Sequence, residues 1–435
     1  MLGLFLYFYF MKIDALHKLF LDCTSVSTDT RNVDNNNMFF ALSGDNFNGN
    51  TFAQDALKKG AKYAIIDDVN FKTSKHTILV ENTLKTLQEL ATYHRAYLGV
   101  KIISLTGSNG KTTTKELINV VLSKKYNTTA TIGNLNNHIG VPLTLLSMTK
   151  DTEIGIVEMG ANHKKEIAFL CQIAKPDFGY ITNFGKAHLE GFGSIEGVIE
   201  GKCELYQYLT TNNKYVFINA DDTIQLEKLN SYDKKSGFSQ NNSKYLNIEL
   251  IDAKPFVSFT TQDTPIKSNL IGAYNFTNLC AATMIGNYFN VDLIDIKQAI
   301  EGYTPTNNRS QIITRESNTI ILDAYNANPS SMEVALQNFS NQNSKNKIAI
   351  LGDMFELGAS ASKEHQSIVN LVSTLHINHI ILIGENFLKT EINKSTIKQY
   401  KSFESFKENY TPIINSSLLI KGSRGMALER VLELL

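Results

Sequence analysis

Short runs of apolar residues alternate along the chain with longer amphipathic stretches. The short runs predict buried β-strands, and the stretches between them have the spacing of helices that pack one face on a sheet. This alternation predicts an α/β protein with parallel sheets covered by helices. Strands are predicted at residues 38–42, 63–67, 77–81, 101–105, 154–158, 178–182, 215–219, 319–324, 347–352, 379–384 and 418–421, and helices at 83–97, 332–339 and 363–375. The first helix should end at Gly99, and the polar tract 231–244 is predicted to be a surface excursion.

The charges balance, with 42 basic and 42 acidic residues among 435. A chain without net charge lacks the broad basic surface that nucleic acid or an anionic membrane attracts, so we expect no nucleic-acid partner. We also expect no stable membrane insertion, and a monomer. The four cysteines, Cys23, Cys171, Cys203 and Cys280, lack metal-ligand spacing, which favours a reducing cytoplasm.

Residues 1–10 are almost wholly apolar, but they are too few to span a bilayer and no positive charge precedes them. A signal peptide is therefore not predicted. We expect Met11 to be the natural start and residues 1–10 to be an extension, with interfacial anchoring as the alternative.

Residues 105–114 read LTGSNGKTTT and directly follow a predicted strand. Small residues let successive backbone N–H groups converge on an anion, Lys111 adds a point charge, and Thr112 offers a hydroxyl to Mg²⁺. The stretch therefore predicts a phosphate-binding loop formed by Gly107, Ser108, Asn109, Gly110, Lys111, Thr112 and Thr113. Leu105 stands where the common G-x-x-x-x-G-K-[ST] pattern has glycine. The alternative is a Gly-Asn turn that leads into an ordinary helix.

Three further side chains fall where a nucleotide enzyme needs them. Glu158 ends a predicted strand, where a carboxylate can bind a metal, and a cap of the next helix is the alternative. His188 follows the next strand and comes to the same edge, but a single histidine is more often structural. Lys202 lies 14 positions later on a predicted helix, where a solvated charge is the alternative.

The shortened loop T-G-x-N-G-K-T-T, together with His188 and Lys202, resembles the Mur ligase family. The resemblance covers the whole chain apart from residues 1–10. It implies a small mixed α/β N-terminal domain that binds the UDP-muramoyl substrate (residues 1–98), a central P-loop ATPase domain with a parallel sheet (99–309) and a C-terminal Rossmann-like domain (310–435). Tyr274 departs from the family, which usually has histidine at this place.

The resemblance also implies ligands for ATP and two Mg²⁺ ions. Thr112 and Glu158 would hold the first ion, and His188 with a carbamylated Lys202 the second. Lys111 and Arg309 would neutralise the γ-phosphate. Asn275 and Asn278, one helical turn apart, can face one ligand, which by resemblance is adenine, with capping as the alternative for Asn275. Asp323, Tyr325 and Asn326 would complete the nucleotide site.

Three segments of the C-terminal domain decide which branch of the family the chain resembles. They read DAYNANPSSM from Asp323, LGDMFELG from Leu351 and KGSRGM from Lys421. They resemble the branch that joins D-alanyl-D-alanine to UDP-N-acetylmuramoyl-tripeptide. The substrate contacts implied are Ser27, Thr30, Arg31, Asn48, Gly49, Asn134, Asn136, Asn137 and Asn328, and Asn48 stands where the family has aspartate. The first segment also fits a turn leading into a helix capped by Ser330.

The implied reaction is ATP-driven amide formation through an acyl phosphate, in peptidoglycan precursor synthesis. Because water would hydrolyse that intermediate, the domains should close before chemistry, and open forms are expected without ligands. One alternative is the ligase that adds the preceding, diamino acid residue, but its usual Asp-Asn-Pro-Arg motif is replaced here by residues 326–329, NANP. The other alternative is a non-catalytic nucleotide-binding relative, which would have lost Lys111, Glu158, His188 or Lys202.

Overall fold

The computed structural model describes residues 10–435. The described residues form two compact units, the first from residues 10–104, 126–159 and 168–178, and the second from 105–125, 160–167 and 179–435. The expectation for residues 1–10 lies, apart from Phe10, outside the described residues.

The amino-terminal stretch of the first unit contains a small parallel sheet. Its strands follow the order β1-β2-β3-β4, and every neighbouring pair is parallel. The predicted strands near residues 38, 63 and 77 are confirmed, each one or two residues shorter at its end. The predicted helix ends at Gly99 because that glycine adopts the left-handed conformation, with φ of 66°. The elements are α1 (Ile13–Leu21), β1 (Val26–Ser27), β2 (Met38–Phe40), α2 (Ala53–Lys58), β3 (Tyr63–Ile66), β4 (Thr77–Leu79), α3 (Thr83–Leu98) and β5 (Lys101–Thr106).

The middle of the chain contributes strands to both units. The elements are α4 (Lys111–Leu122), β6 (Thr128–Ala130), α5 (Gly140–Leu146), β7 (Ile154–Glu158), α6 (Glu166–Ala174), β8 (Phe178–Ile181), α7 (Leu189–Phe192), α8 (Ile195–Thr211), β9 (Tyr215–Asn219), α9 (Thr223–Lys228), β10 (Lys235–Ser239), β11 (Leu246–Asn247), β12 (Glu249–Asp252), β13 (Phe256–Thr261), β14 (Thr264–Ile271), α10 (Phe276–Tyr288) and α11 (Leu293–Gly302). In the first unit, strands β5, β7 and β6 are neighbours in this order. In the second unit, the strand order is β11, β10, β9 and β8. The β6–β7, β9–β10 and β10–β11 pairs are parallel.

The prediction of a surface excursion at residues 231–244 is wrong. This tract contains β10, which pairs in parallel with β9 and buries Phe238 and Ser239. Polar residues can be buried in this strand because their backbone and side-chain groups form hydrogen bonds. For example, the Ser239 hydroxyl donates to the Asp221 carboxylate at 2.5 Å. The sequence pattern also did not predict the three-stranded antiparallel sheet β12-β13-β14.

The C-terminal part of the second unit is a doubly wound sheet, as predicted. Its order is β15-β16-β20-β17-β18-β19, with only the β15–β16 pair antiparallel. Apolar residues from its strands enter two separate clusters, with Leu351 and Leu419 in one and Ile350 and Ile420 in the other. Both faces are therefore covered. The elements are β15 (Gln311–Arg315), β16 (Asn318–Asp323), α12 (Pro329–Ser340), β17 (Lys347–Gly352), α13 (Ala361–Thr374), β18 (His379–Ile383), α14 (Glu385–Leu388), β19 (Ile397–Tyr400), α15 (Phe403–Glu408) and β20 (Ser417–Lys421).

Candidate functional site

The loop between β5 and α4 has the backbone that its glycines predict. Gly107 and Gly110 have φ of 144° and 78°, in a region that side chains disfavour. A Cβ on Gly107 would lie 1.9 Å from the Thr182 hydroxyl oxygen, and one on Gly110 would lie 2.5 Å from the Asn278 amide oxygen. Both positions therefore require glycine for conformation and for space.

A second segment, residues 182–185, holds this loop in place. The Thr182 hydroxyl donates to the Asn109 carbonyl at 2.6 Å, and the Ser108 hydroxyl donates to the Gly185 carbonyl at 2.8 Å. The Asn183 side chain accepts from the Asn109 N–H at 3.1 Å and donates to its carbonyl at 3.0 Å. The loop is thus rigid before any ligand arrives. The roles of Thr182 and Asn183 were not predicted, because nothing local in the sequence shows which loop these residues contact.

Helix α4 begins at the end of the loop, and its N–H groups point back toward it. Lys111 folds over the loop, with Nζ 2.8 Å from the Gly107 carbonyl and 3.3 Å from the Ser108 carbonyl. Thr112 is buried in the first turn, and Thr113 follows it. A helix N-terminus, a glycine-rich turn and an ammonium group together form a site for an anion such as a phosphate chain.

Lys202 lies on α8 and is completely buried. Its Nζ donates to the Ala161 carbonyl at 3.2 Å and lies 5.0 Å from the centre of the Phe192 ring. Burial, and then the nearby charge of Lys111, lower the pKa of this amine well below its ordinary value, against the opposing effects of two glutamates. The alternative of a solvated charge is therefore wrong for Lys202.

His188 precedes the short helix α7 and has a left-handed backbone, with φ of 52°. Its Nδ1 lies 2.5 Å from Oε2 of Glu356, in the loop that follows β17. This contact, with Lys111 contributing, lowers the pKa of the Glu356 carboxyl. Glu356 lies within the segment LGDMFELG, but no role was predicted for it from the sequence.

Glu158 belongs to a buried polar cluster at the end of β7, in the first unit. Its Oε1 accepts from the Asn136 side chain at 2.8 Å, and its N–H donates to the Thr131 hydroxyl at 3.0 Å. Oε2 is buried and has no hydrogen-bond partner within residues 10–435. Asn137 accepts from two N–H groups at the start of α5, and the Asn134 carbonyl accepts from the Asn136 N–H. Glu158 thus retains one carboxylate oxygen for a further ligand.

Asn275 and Asn278 lie together at the start of α10, as predicted, but they bond to each other. The Asn278 amide donates to Asn275 Oδ1 at 2.9 Å, and its oxygen accepts from Thr114 at 3.0 Å. The Asn275 amide donates to the Ile271 carbonyl, so its side chain does not cap the helix. Tyr274, at the position where the resemblance leads one to expect histidine, bonds the Ser310 hydroxyl at 2.7 Å, and burial raises its pKa.

Arg309 packs flat on an aromatic ring, with its guanidinium carbon 3.7 Å from the centre of the Tyr325 ring. Its Nε is buried and bonds to nothing in the described part of the chain. Asp323 is already engaged, since Lys421 Nζ lies 2.5 Å from its Oδ2 and the Ser310 N–H donates to its Oδ1 at 3.0 Å. The Asn326 side chain accepts from the Ala327 N–H. Arg309 is therefore a cation fixed by the Tyr325 ring, and its Nε can still donate a hydrogen bond to a ligand.

The N-terminal cap of α12 is Asn328, so the expectation that Ser330 caps this helix is wrong. Asn328 Oδ1 accepts from the Ser331 N–H at 2.9 Å, and the Ser331 hydroxyl accepts in return at 3.1 Å. Asn328 also donates to Asn109 Oδ1 of the phosphate loop at 2.8 Å. Ser330 instead accepts from the Lys186 N–H.

The two amino-terminal loops are ordered by short local bonds within the first unit. Ser27 bonds Asp29, whose carboxylate accepts from the guanidinium of Arg31, and Thr30 starts a single helical turn. Asn48 caps the next short turn, and a Cβ on Gly49 would lie 2.1 Å from the Leu42 carbonyl oxygen. Both loops present polar groups, and their role in substrate binding stays a prediction.

Over residues 10–435 no three His, Cys, Asp or Glu side chains are grouped as a metal site. The predicted metal ligands include a threonine and a lysine, which lie outside such a grouping, so their role stays a prediction. No helix within the same residues is long and apolar enough to cross a membrane.

Three Mur ligase family models match the chain in succession. The model of the Mur ligase family catalytic domain matches residues 22–95, the Mur ligase middle domain matches 105–286, and the Mur ligase glutamate ligase domain matches 308–423.

Curated relatives match almost the full length of the chain. UDP-N-acetylmuramoyl-tripeptide–D-alanyl-D-alanine ligase from Bacillus subtilis is 34% identical over 428 residues, which cover 94% of this chain and 92% of the relative. The ligase of the same name from Escherichia coli is 31% identical, with 94% and 93% covered.

Solved structures agree with these sequence matches. A MurF crystal structure from Acinetobacter baumannii superposes with a TM-score of 0.82 at 28% identity, covering 94% of this chain and 92% of that one. MurF ligase from Thermotoga maritima in complex with ADP gives 0.80 at 26% identity, covering 95% and 97%. The predicted three-domain α/β architecture is confirmed by this likeness.

Proposed function

Because the chain belongs to the Mur ligase family, we propose that it joins D-alanyl-D-alanine to UDP-N-acetylmuramoyl-tripeptide at the expense of ATP. The products are UDP-N-acetylmuramoyl-pentapeptide, ADP and phosphate, and the pathway is peptidoglycan precursor synthesis in the cytoplasm. The observation that carries this proposal is the match, over more than nine-tenths of both chains, to ligases with that name. The phosphate loop and the buried Lys202 supply the matching chemistry.

In the proposed reaction, the terminal carboxylate of the tripeptide attacks the γ-phosphorus of ATP, which gives an acyl phosphate and ADP. The amine of D-alanyl-D-alanine then attacks the acyl carbon, loses a proton and expels phosphate. Both partners of the first step are anions, so charge neutralisation is the main task of the protein. Lys111, the N–H groups of residues 107–113 and the unpaired Nε of Arg309 serve this task.

The remaining nucleotide contacts are proposed on the same basis. Asn275 and Asn278 contact adenine, and Asp323, Tyr325 and Asn326 complete the site. The residues of the first unit that bind the UDP-muramoyl-peptide are Ser27, Thr30, Arg31, Asn48, Gly49, Asn134, Asn136 and Asn137. In the second unit, Asn328 also binds substrate. We also propose that the chain divides into three domains, with limits at residues 1–98, 99–309 and 310–435.

Magnesium fits the donors present. Glu158 retains a buried oxygen without a partner, and Thr112 offers a hydroxyl beside the loop. Mg²⁺ prefers such oxygen ligands and would supply positive charge to the phosphates. We propose Thr112 and Glu158 for one ion and His188 and Lys202 for the other.

Carbamylation of Lys202 fits the burial of its amine. Only a neutral amine adds CO₂, and burial, by lowering the pKa of this amine, favours its neutral form. A new N–C bond would form, one proton would leave, and the resulting anion would lie near Lys111. The lysine would then bind a cation that its ammonium form repels.

Phosphate release by the purified full-length chain tests the function. With ATP, Mg²⁺ and UDP-N-acetylmuramoyl-tripeptide, release should depend on D-alanyl-D-alanine. Release that instead requires UDP-N-acetylmuramoyl-dipeptide and a diamino acid would identify the alternative ligase. Nucleotide binding without release from any substrate would identify a non-catalytic relative.

Two glycine variants connect the activity to the loop. Gly107→Ala should abolish nucleotide binding, because its Cβ would overlap Thr182. Gly99→Ala is the matched control, since it also has positive φ but its Cβ would meet nothing within 4 Å. Equal nucleotide affinity in both variants would contradict the assignment of the loop.

A further inference from the structure

Glu356 and His188 are 168 positions apart in sequence, and their side chains meet in the second unit. Oε2 of Glu356 lies 2.5 Å from Nδ1 of His188, which is direct polar contact, although the ring N–H is less well aligned than an ideal hydrogen bond requires. The imidazole side chain is only 19% exposed, so the protein groups packed around it decide its orientation.

The loop that carries Glu356 is fixed at its backbone. The Phe355 N–H donates to the Ser423 hydroxyl at 2.8 Å, and the Ser423 N–H donates to the Asp353 carbonyl at 3.1 Å. The Glu356 carbonyl accepts from the Glu190 N–H on α7 at 3.2 Å. Because α7 directly follows His188, this bond also fixes the two side chains relative to each other.

Stability does not explain a glutamate at this position. Glu356 has φ of 61°, a left-handed conformation that glycine or asparagine adopts more easily. Its side chain is 49% exposed, and ion pairs at such exposure add little to stability. Strained residues of this kind are concentrated at functional sites.

We propose that Glu356 is a positioning residue that holds His188 with the proton on Nδ1 and so directs Nε2 to the magnesium ion. A carboxylate behind a metal-binding imidazole fixes its tautomer and raises its basicity. The inference rests on the proposed function, because that function gives His188 its metal. It adds that the loop after β17 completes the metal site.

The tautomer of His188 tests the proposal directly. Nitrogen NMR of the full-length chain without ligands should show His188 protonated at Nδ1, with its signals assigned by their loss in His188→Gln. Glu356→Gly removes the carboxylate and suits the left-handed backbone, so it should fold and should release His188 to the Nε2–H form. Glu190→Gln, which removes a neighbouring exposed carboxylate, should leave the tautomer unchanged. An unchanged tautomer in Glu356→Gly would overturn the proposal.

The magnesium dependence of phosphate release provides the second readout. Glu356→Gly should raise the Mg²⁺ concentration for half-maximal rate about 10-fold, with most of the rate recovered at saturating Mg²⁺. Glu190→Gln should behave as the wild type. A rate loss that no Mg²⁺ concentration restores would contradict positioning. If wild-type protein released no phosphate with D-alanyl-D-alanine, the proposed function would fail, whereas the NMR result would still decide the role of Glu356.

Discussion

At the scale of single residues, the buried amine of Lys202 is the least expected feature of the second unit. A lysine rarely loses all solvent contact unless it pairs with a carboxylate, because desolvating an ammonium is costly. Here the described contacts of Nζ are a carbonyl and an aromatic ring. The amine is therefore poorly suited to stabilise the fold and well suited to react.

Lys202→Met tests this separation of stability from activity. Methionine keeps most of the apolar stem and removes the polar atom, so the free energy of unfolding should stay equal or rise by up to about 2 kcal/mol. Phosphate release should fall at least about 100-fold. Urea unfolding and the ligase assay measure the two effects, with Lys228→Met, on the exposed surface of α9, as the control. A variant that keeps the wild-type rate would show that the amine has no part in the reaction.

Residue roles were predictable where the signal is local. Gly107, Gly110 and Lys111 follow one another closely, and backbone sterics alone dictate the loop that they form. Glu356 was not predictable, because its partner lies far away in sequence and only the fold brings the two together. Asn278 shows an intermediate case, since its position was predicted but its bond to Thr114 was not.

At the scale of elements, the residue that caps the N-terminus of helix α12 also contacts the phosphate loop. Asn328 caps this helix through the backbone and donates a second bond to Asn109. One side chain thus fixes the start of a helix and one residue of the candidate nucleotide site.

Asn328→Ala should therefore have two effects. Loss of the cap should lower the free energy of unfolding by about 1 kcal/mol. Loss of the bond to Asn109 should also weaken ADP binding, by about 5-fold. Ser402→Ala is the matched control, because Ser402 caps α15 by the same type of bond. It should lose stability but keep its ADP affinity by calorimetry, and equal affinities in both variants would contradict the second effect.

Helices α1 and α3 meet at a buried pair of histidines in the first unit. His94 Nε2 is 2.9 Å from the Met148 carbonyl and must donate to it, so its Nδ1 accepts from His17 Nε2 at 3.0 Å. Burial lowers the pKa of both rings, and the charge of His94 lowers that of His17 further. Burial therefore favours the neutral form of this pair in the folded unit.

The first unit should lose stability as the pH falls. The folded pKa values lie below the unfolded value of about 6.5, so unfolding takes up protons in the window between them. The contribution of the pair is complete above that window and is lost as the pH falls through it. His17→Gln keeps a donor for His94, so its unfolding midpoint should fall less between about pH 7.5 and about pH 5.5 than that of the wild type. Thermal unfolding checks this, with the exposed His138→Gln as control, and an unchanged pH dependence in His17→Gln would exclude the pair as its source.

Elements were predictable in proportion to their apolar content. β17 and β18 consist almost wholly of apolar residues, and their limits were predicted to within one residue. β10 has a single large apolar residue, Phe238, in a polar tract, so its pairing with β9 was invisible. Strands β13 and β14 alternate buried with more exposed residues, and β12 is exposed throughout, so none of them forms the continuous apolar run that the prediction relied on.

At the scale of the whole molecule, residues before and after Arg309 are joined inside the second unit. Asn109 contacts Asn328, and Lys186 pairs with Glu364 at 3.0 Å. The expectation of open forms without ligands stays a prediction, and the structure shows which side chains can meet across this junction. Sequence could predict that closure is needed, from the chemistry of the acyl phosphate, but not which side chains hold it.

Charge exchange between Lys186 and Glu364 tests whether these contacts form in the working enzyme. Glu364 is almost fully buried, with a side chain 9% exposed, so an opposing charge at either position should be costly. Lys186→Glu and Glu364→Lys should each lower kcat/KM about 10-fold, and the double exchange should recover most of the loss. The exposed Lys164–Glu200 pair provides the control, since its exchange should change little. If the loss in kcat/KM of the double variant equalled the combined losses of the two single variants, the pair would be absent during turnover. Two charges that are in contact must affect each other, so their effects on kcat/KM cannot be independent.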